Sequence, residues 1–430
     1  MSKQIAFRQI IADFVHRSLP KTYSRGLVLP INIPKIISII GARRTGKTFI
    51  LFDLIQKLRQ EISPDRLIYI NFEDDRLFPL QLTDLDDFLR AYYELYPLNK
   101  KELVYFFFDE IQEVPNWEKF VRRLLDNENC RVYLTGSSSK LLSRELATGL
   151  RGRTLSFEVF PLSFQEFLSF QELNFDTNTS EGQALTKHHL RNYIEQGGFP
   201  ELLTLPKHLH QRTINEYLDL MLYRDLTERF GIKNPSLLKY LMKYLFTNIS
   251  NWLSTNKAYK DLKSQGFAVG KNTVYDYISY LEEAYAVFNV QKWSRSVRQQ
   301  TMNPNKIYAL DPSYKYAMSL SRDIGRVFEN VVFLILRRQY KEVHYYMEKQ
   351  EVDFVLPNNS LINVAYDLPV LTKQREINSL LEGMNYFDQK ESLLITWDTF
   401  EDVIIEGKTI QIRPLWWFSE PKTNPLRSHQ

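Results

Sequence analysis

The hydrophobic positions along the chain follow two rhythms. Short runs of β-branched and aromatic residues recur at 36–40, 67–72, 103–108 and 131–134. Each has the length of a buried strand. Between them, 49–58 and 120–125 space their apolar residues as one face of a helix does. Strands alternating with helices predict an α/β fold with a parallel sheet covered on both faces. Residues 1–35 predict a leading helix and a Pro/Gly-broken approach to the first strand.

Past Pro161 the pattern turns helical through 250, as in Ser163-Phe-Gln-Glu-Phe-Leu and Tyr217-Leu-Asp-Leu-Met-Leu-Tyr. Gly197-Gly198 punctuates it. At 258–264 a short helix is expected, then a turn over 265–270. Asn272 is the expected cap of a helix from Thr273 through Tyr285. Runs at 286–290 and 306–310 read as paired strands, so 258–310 predicts a winged helix-turn-helix. Further on, a helix opens at Gly325-Arg-Val-Phe-Glu329-Asn, and strands are expected at 351–356 and 360–365. Trp416 and Trp417 read as packing residues. These changes predict four segments: 1–160, 161–250, 251–315 and 316–430.

Composition narrows the class. Hydrophobic residues make up 44% and charged residues 25% of 430, an ordinary globular balance. Aromatic residues reach 14%, with 25 Tyr and 28 Phe, which points to large aromatic cores. The net charge of +4 implies no nucleic acid by itself. Cys130 stands alone, which excludes an internal disulfide and fits a reducing cytoplasm. No apolar run reaches the roughly 18 residues of a spanning helix, so no membrane partner is expected. The apolar run at 331–336 ends in Arg337-Arg338 and reads as core helix.

The chemistry lies where strand gives way to loop. After the first strand comes Gly41-Ala42-Arg43-Arg44-Thr45-Gly46-Lys47-Thr48-Phe49, a phosphate-binding loop between strand and helix. Its glycines let successive N–H groups converge on phosphates, and the helix dipole aims at the same anion. Lys47 is expected at the β- and γ-phosphates of ATP, and Thr48 on magnesium. The run at 103–108 ends in Asp109-Glu110, delivering carboxylates to the sheet edge where α/β folds bind ligands. Asp109 is the expected magnesium holder and Glu110 the group that polarises the attacking water. The strand ending at Thr135 and three serines should lie beside the loop. A hydroxyl there either meets the γ-phosphate or caps a helix from about Lys140. Arg151 and Arg153 follow on a loop, with the planar fork that suits phosphate. Acting on a neighbour's nucleotide, they would imply a homo-oligomer.

The phosphate loop, together with Phe-Phe-Asp-Glu-Ile-Gln, Leu-Thr-Gly-Ser-Ser-Ser, Leu-Arg-Gly-Arg and Phe-Pro-Leu-Ser-Phe-Gln-Glu-Phe, resembles a prokaryotic AAA-type ATPase family. In that family the ATPase domain is followed by a C-terminal domain of unknown function. The resemblance covers most of the chain, with Gly197-Gly-Phe-Pro-Glu201 resembling the lid. It implies the roles above for Lys47, Thr48, Asp109 and Glu110. It makes Ser137 or Ser138 a sensor and Arg151 and Arg153 fingers. The segment 322–418 resembles the restriction-endonuclease-like fold.

From 257 to 306 there are eight Lys/Arg against four Asp/Glu, so the winged segment should carry a basic face. Such a face suits DNA phosphates, through Lys271, Lys292, Arg295 and Arg298. The nuclease-like segment is expected to be inactive. Asp353 is present and Glu329 can supply a helix carboxylate, but the expected Glu-x-Lys falls at Asn363-Val364-Ala365. Lys373 or Asp367 would have to migrate to replace what is missing. The expectation is a cytoplasmic, magnesium-dependent ATPase engaging DNA or a DNA-associated partner. The alternatives are an ATP-gated switch that meets an acidic protein partner, and an ATP-dependent nuclease.

Overall fold

The computed structural model describes residues 2–136, 150, 152–319 and 323–419. It divides into two compact units, Met1–Phe160 and Pro161–Gln430. The first carries α1 (Lys3–His16), β1 (Ile36–Ile40), α2 (Lys47–Leu58), β2 (Leu67–Asn71), α3 (Asp84–Leu95), β3 (Val104–Asp109), α4 (Trp117–Asn127), β4 (Cys130–Gly136) and β5 (Thr154–Glu158). Its strands form one sheet in the order β2-β3-β4-β1-β5, parallel throughout. This is the P-loop type of α/β fold, as the alternating pattern predicted.

One core lies on each face of this sheet. Phe106 and Phe108 point to one and meet Phe88 of α3 edge-on, while Phe107 points to the other and stacks on Tyr133. All three phenylalanines of β3 are fully buried, each contributing about 2–3 kcal/mol by burial. That anchoring fixes where β3 ends, and therefore where Asp109 sits. Cys130 is buried in β4, and burial pushes its thiol up to about 12, which leaves it unreactive at neutral pH.

The second unit carries α5 (Phe164–Phe170), α6 (Ser180–Gln196), α7 (Lys207–Leu220), α8 (Pro235–Thr247), β6 (Asn251–Leu253), α9 (Thr255–Ser264), α10 (Lys271–Glu283), β7 (Val287–Val290), α11 (Val297–Met302), β8 (Asn305–Ala309), α12 (Ser313–Met318) and α13 (Ile324–Gln339). It continues through β9 (His344–Met347), β10 (Glu351–Val355), β11 (Leu361–Ala365), α14 (Val370–Phe387), β12 (Glu391–Thr396), β13 (Glu401–Ile405), β14 (Lys408–Pro414) and α15 (Leu415–Phe418). β6-β8-β7 form a small antiparallel sheet. β13-β14-β12-β11-β10-β9 form a mixed sheet with a parallel centre. The run from α8 to β8 has the element order of a winged helix.

Two motifs in this unit have identifiable physical causes. Ser163 and Glu166 form a reciprocal capping box at the start of α5, and Phe164 and Phe167 pack on Tyr193. Gly198 N–H donates to the buried Asp311 carboxylate at 2.8 Å. A Cβ on Gly197 would stand 1.9 Å from the same carboxylate, and Gly197 has φ +83°. Only glycine fits that approach. Trp416 is buried, as expected.

One local expectation is corrected. Asn272 does not cap the helix of the winged segment. Gly270, in extended backbone, holds the cap position, and α10 starts at Lys271 and ends at Glu283. The end is set by Tyr285, whose φ of +59° turns the chain into β7.

Candidate functional site: the phosphate loop and the carboxylates of β3

The loop between β1 and α2 is shaped by close approaches. Val159 N–H donates to Ile40 O at 2.7 Å, bringing the end of β5 against the loop. A Cβ on Gly41 would then lie 2.1 Å from Val159 O, and Gly41 has φ +152°. Gly46, at φ +92°, caps α2 in left-handed backbone, and Arg44 also turns left-handed at φ +65°. Ala42 and Thr45 are buried, and Thr45 Oγ1 donates to Ala42 O at 2.9 Å. Arg25 donates to Thr45 O at 2.7 Å and to Phe160 O at 2.8 Å, strapping the loop to the end of the edge strand. Arg44 and Phe49 are exposed, and Arg43 pairs with Glu73 at 3.2 Å.

Lys47 opens α2, as predicted, and is 5% exposed. Its Nζ donates to Gly41 O and Ala42 O at 3.1 and 3.0 Å and stands 3.8 Å from Glu110 Oε1. Thr48 Oγ1 donates to Asp109 Oδ2 at 2.8 Å. Tyr69 donates to the same oxygen at 2.6 Å, and Thr135 donates to Oδ1. Burial pushes the Asp109 carboxyl above its usual range, against the pull of these hydroxyls. Burial and the neighbouring Asp109 push the Tyr69 phenol upward, so it remains a donor. Glu110 leaves the strand in left-handed backbone at φ +52°, costing about 1–2 kcal/mol in an L-residue. Its N–H donates to Thr135 Oγ1 at 3.0 Å, and Gln112 donates to its Oε2 at 2.5 Å.

The structure therefore brings Gly41–Phe49, Asp109 and Glu110 together at the C-terminal edge of the sheet, with β4 beside β1. Ser137, Ser138, Arg151 and the helix expected from Lys140 lie outside the described residues. Arg153 does not join this group. Its carbonyl accepts from Ile36 N–H, where β1 begins, so it sits at the opposite edge of the sheet, and its side chain pairs with Asp126. Sequence reasoning missed Arg25 and Tyr69. Tyr69 had a readable signal, a hydroxyl on an otherwise buried apolar strand. Arg25 lies in an irregular approach with no periodicity.

The basic face of the winged segment is only partly presented. Lys271, Arg295 and Arg298 are exposed. Lys292 is turned against Glu348 at 3.7 Å and is 17% exposed. Lys306, counted toward that face in the sequence, is 4% exposed and faces inward.

A glycine-shaped loop between a buried strand and a helix, with a buried lysine and adjacent hydroxyl and carboxylate oxygens, defines a P-loop protein of the AAA class. A family model described as "AAA domain" matches residues 34–168, and a "Domain of unknown function (DUF8612)" matches 187–323. The chain is 36% identical to the uncharacterized protein MJ1544 of Methanocaldococcus jannaschii over 436 residues, covering 97% of this chain and 96% of that protein. It belongs to that family of AAA-type ATPases carrying a C-terminal domain of unknown function. An uncharacterized protein of Haemophilus influenzae is 29% identical, with 87% of this chain and 91% of that protein covered. Among solved structures, the Walker-type ATPase PABY2304 of Pyrococcus abyssi gives a TM-score of 0.39 at 14% identity, covering 73% of this chain and 94% of that one. The Aeropyrum pernix ORC1 protein in complex with DNA gives 0.31 at 14% identity, covering 76% and 93%. Among the described residues, no helix is long and apolar enough to cross a membrane.

Proposed function

We propose that the chain hydrolyses ATP with magnesium and uses the nucleotide state to engage DNA or a DNA-associated partner. The observation that carries the first part is the meeting of Lys47, Thr48, Asp109 and Glu110 at one sheet edge. Thr48 and Asp109 offer adjacent hard oxygens, the donor chemistry magnesium takes. Magnesium would supply charge neutralisation of the phosphates. Lys47 exchanges its two carbonyl acceptors for phosphate oxygens, a charge-assisted contact. Glu110, beside Lys47, accepts a proton from the attacking water. The test is Glu110→Gln, which should bind ATP as wild type does and lose turnover by about a hundredfold or more. Wild-type turnover in that variant would remove Glu110 from the role. Because Arg153 lies at the opposite sheet edge, it serves a nucleotide only in a neighbouring copy, and a homo-oligomer goes with that role.

The DNA part rests on the exposure of Lys271, Arg295 and Arg298 in one winged segment. Replacing all three with Ser should weaken duplex binding and reduce its log–log salt slope by about one unit per lost phosphate contact. An unchanged slope favours a protein partner.

A further inference from the structure

The nuclease-like segment was expected to lack an amine at its acidic residues. The register is as expected: Phe354 pairs with Ile362, so Asp353 faces Asn363 on the adjacent strand. Asn363 is buried, with its amide on Glu376 Oε2 at 2.7 Å and Ser379 Oγ at 3.2 Å. Lys373 is not the replacement, since it pairs with Glu401. The amine present is that of Lys306, from β8 of the winged segment. Its Nζ lies 2.9 Å from Glu329 Oε1, 2.9 Å from Asp353 Oδ1 and 2.5 Å from Glu351 Oε1. The three carboxylates come from α13 and β10, elements the sequence placed in a different segment.

We propose that the Lys306 ammonium is a built-in cation that welds the winged segment to the six-stranded sheet and keeps divalent metal out of this acid cluster. Three carboxylates around one point repel each other unless a positive charge stands between them. Lys306 supplies it at 4% exposure, while Glu329, Asp353 and Glu351 are 14%, 14% and 27% exposed. Burial opposes the charge of Lys306, but Asp353, Glu329 and Glu351 outweigh it and hold the ammonium well above its ordinary value. Two further donors of the chain reach the cluster. Tyr308 donates to Glu329 Oε1 at 2.7 Å, and Val364 N–H donates to Asp353 Oδ2 at 2.9 Å. Groups of the chain itself thus already occupy the point where the three carboxylates converge.

A second, independent set of bonds ties the same two parts. Tyr345 N–H donates to Gln291 O at 3.1 Å, and Trp293 N–H donates to Tyr345 O at 2.6 Å. Residues 291–293 thereby extend the edge of the six-stranded sheet at β9, through a parallel bridge between Lys292 and Tyr345. Tyr345 Oη donates to Pro304 O at 2.6 Å, and the Trp293 ring meets Phe387 edge-on. Both stems of the wing are fixed to the sheet on one side and to Lys306 on the other. The winged segment and the nuclease-like segment then act as one rigid body.

The test is amide hydrogen exchange on the full chain, read in β8, in 291–293 and in β9. Lys306→Met keeps an unbranched side chain one atom shorter and removes its charge. It should speed exchange at those three places at least tenfold and leave β1–β4 unchanged. A quadruple variant, Lys306→Met with Glu329→Gln, Glu351→Gln and Asp353→Asn, should return exchange to within about threefold of wild type. That return separates a charge role from a packing role. Unchanged exchange in Lys306→Met would overturn the proposal. So would a quadruple variant as fast as the single one, or one that fails to fold. Millimolar Mn2+ should not slow exchange around Glu351 and Asp353 in wild-type protein; protection there would mean that the cluster takes a metal and Lys306 gives way.

Discussion

Lys47 and Lys306 are both buried lysines facing carboxylates, and their surroundings differ in one respect. Among the described residues, Lys47 donates to two neutral carbonyls of its own loop, with the Glu110 carboxylate at 3.8 Å. Lys306 is gripped by three carboxylates from two other elements, none beyond 2.9 Å. Carbonyl acceptors are exchanged at little cost for a better anion, because a hydrogen bond to a charged group is the stronger one. Three close carboxylates are not exchanged without leaving buried charges uncompensated. On the roles proposed above, the first lysine is poised for a ligand and the second is committed to the fold. Residue type and burial do not separate the two cases, whereas the identity of the acceptors does.

The largest effect is expected from exchanging the two deletions. Lys47→Ala should weaken ATP binding about a hundredfold or more while changing stability little, since its acceptors are backbone carbonyls that other donors can reach. Lys306→Met should leave ATP affinity unchanged and cost the second unit about 3–5 kcal/mol, the usual cost of breaking a buried pair. Isothermal titration with ATP and urea unfolding of both variants measure this. A Lys47→Ala chain that loses stability as much as Lys306→Met would erase the distinction.

The two sites were unequally legible in the sequence. In the first unit the signals are local. The loop, its helix and the carboxylates of β3 each lie within a few residues of a strand end, so periodicity and glycine spacing found them. In the second unit the decisive contact joins Lys306 to Glu329, Glu351 and Asp353 across 23 to 47 positions. No local pattern carries such a pairing. Lys306 opens an apolar strand, and its charge was counted toward a solvent face because neighbouring Lys292, Arg295 and Arg298 are also basic. The strands themselves were found, but the side chain's direction depended on which sheet face meets α13. Similarly, Gly197-Gly198 was legible as punctuation, while its cause, the Asp311 carboxylate more than a hundred residues away, was not.

Asp311 gives the next effect and extends the comparison to aspartates. Asp109 is buried beside three hydroxyls, at the site proposed to hold magnesium. Asp311 is buried among Gly198 N–H, Ser313 N–H and Ser313 Oγ, with no exchangeable partner. Burial pushes Asp311 up from 3.8 to about 6. With its folded value raised, its favourable share of stability is complete below about pH 3.8 and is lost as pH rises through about 6. Asp311→Asn removes the titration and keeps the shape. The stability of wild type relative to this variant should therefore fall by about 3 kcal/mol between pH 3.5 and 6.5. Urea midpoints of both proteins across that range decide it. A difference that stays flat, or rises with pH, would mean that the Asp311 carboxylate is not held in the way its surroundings imply.

The smallest effect comes from two tyrosines that mirror each other. Tyr69 donates to Asp109 at 2.6 Å in the first unit, and Tyr308 donates to Glu329 at 2.7 Å in the second. Each ring is packed on aromatic neighbours, Tyr69 on Phe14 and Tyr308 on Phe333, so Phe keeps the shape and removes only the hydroxyl. Each carboxylate retains other donors, Thr48 and Thr135 for Asp109 and Lys306 for Glu329. Tyr69→Phe and Tyr308→Phe should therefore each cost about 1.5–3 kcal/mol of stability, the worth of one hydrogen bond to a charged acceptor. Their functional consequences should differ. Asp109 is the carboxylate proposed to hold magnesium, and losing one of its donors changes how well its oxygens are oriented. Tyr69→Phe should shift the magnesium concentration for half-maximal ATP turnover a few-fold, and Tyr308→Phe should leave it at the wild-type value. Turnover measured across a magnesium titration distinguishes them. A shift in Tyr308→Phe with none in Tyr69→Phe would place the exchangeable carboxylate in the second unit and reverse the assignment of the two acidic sites.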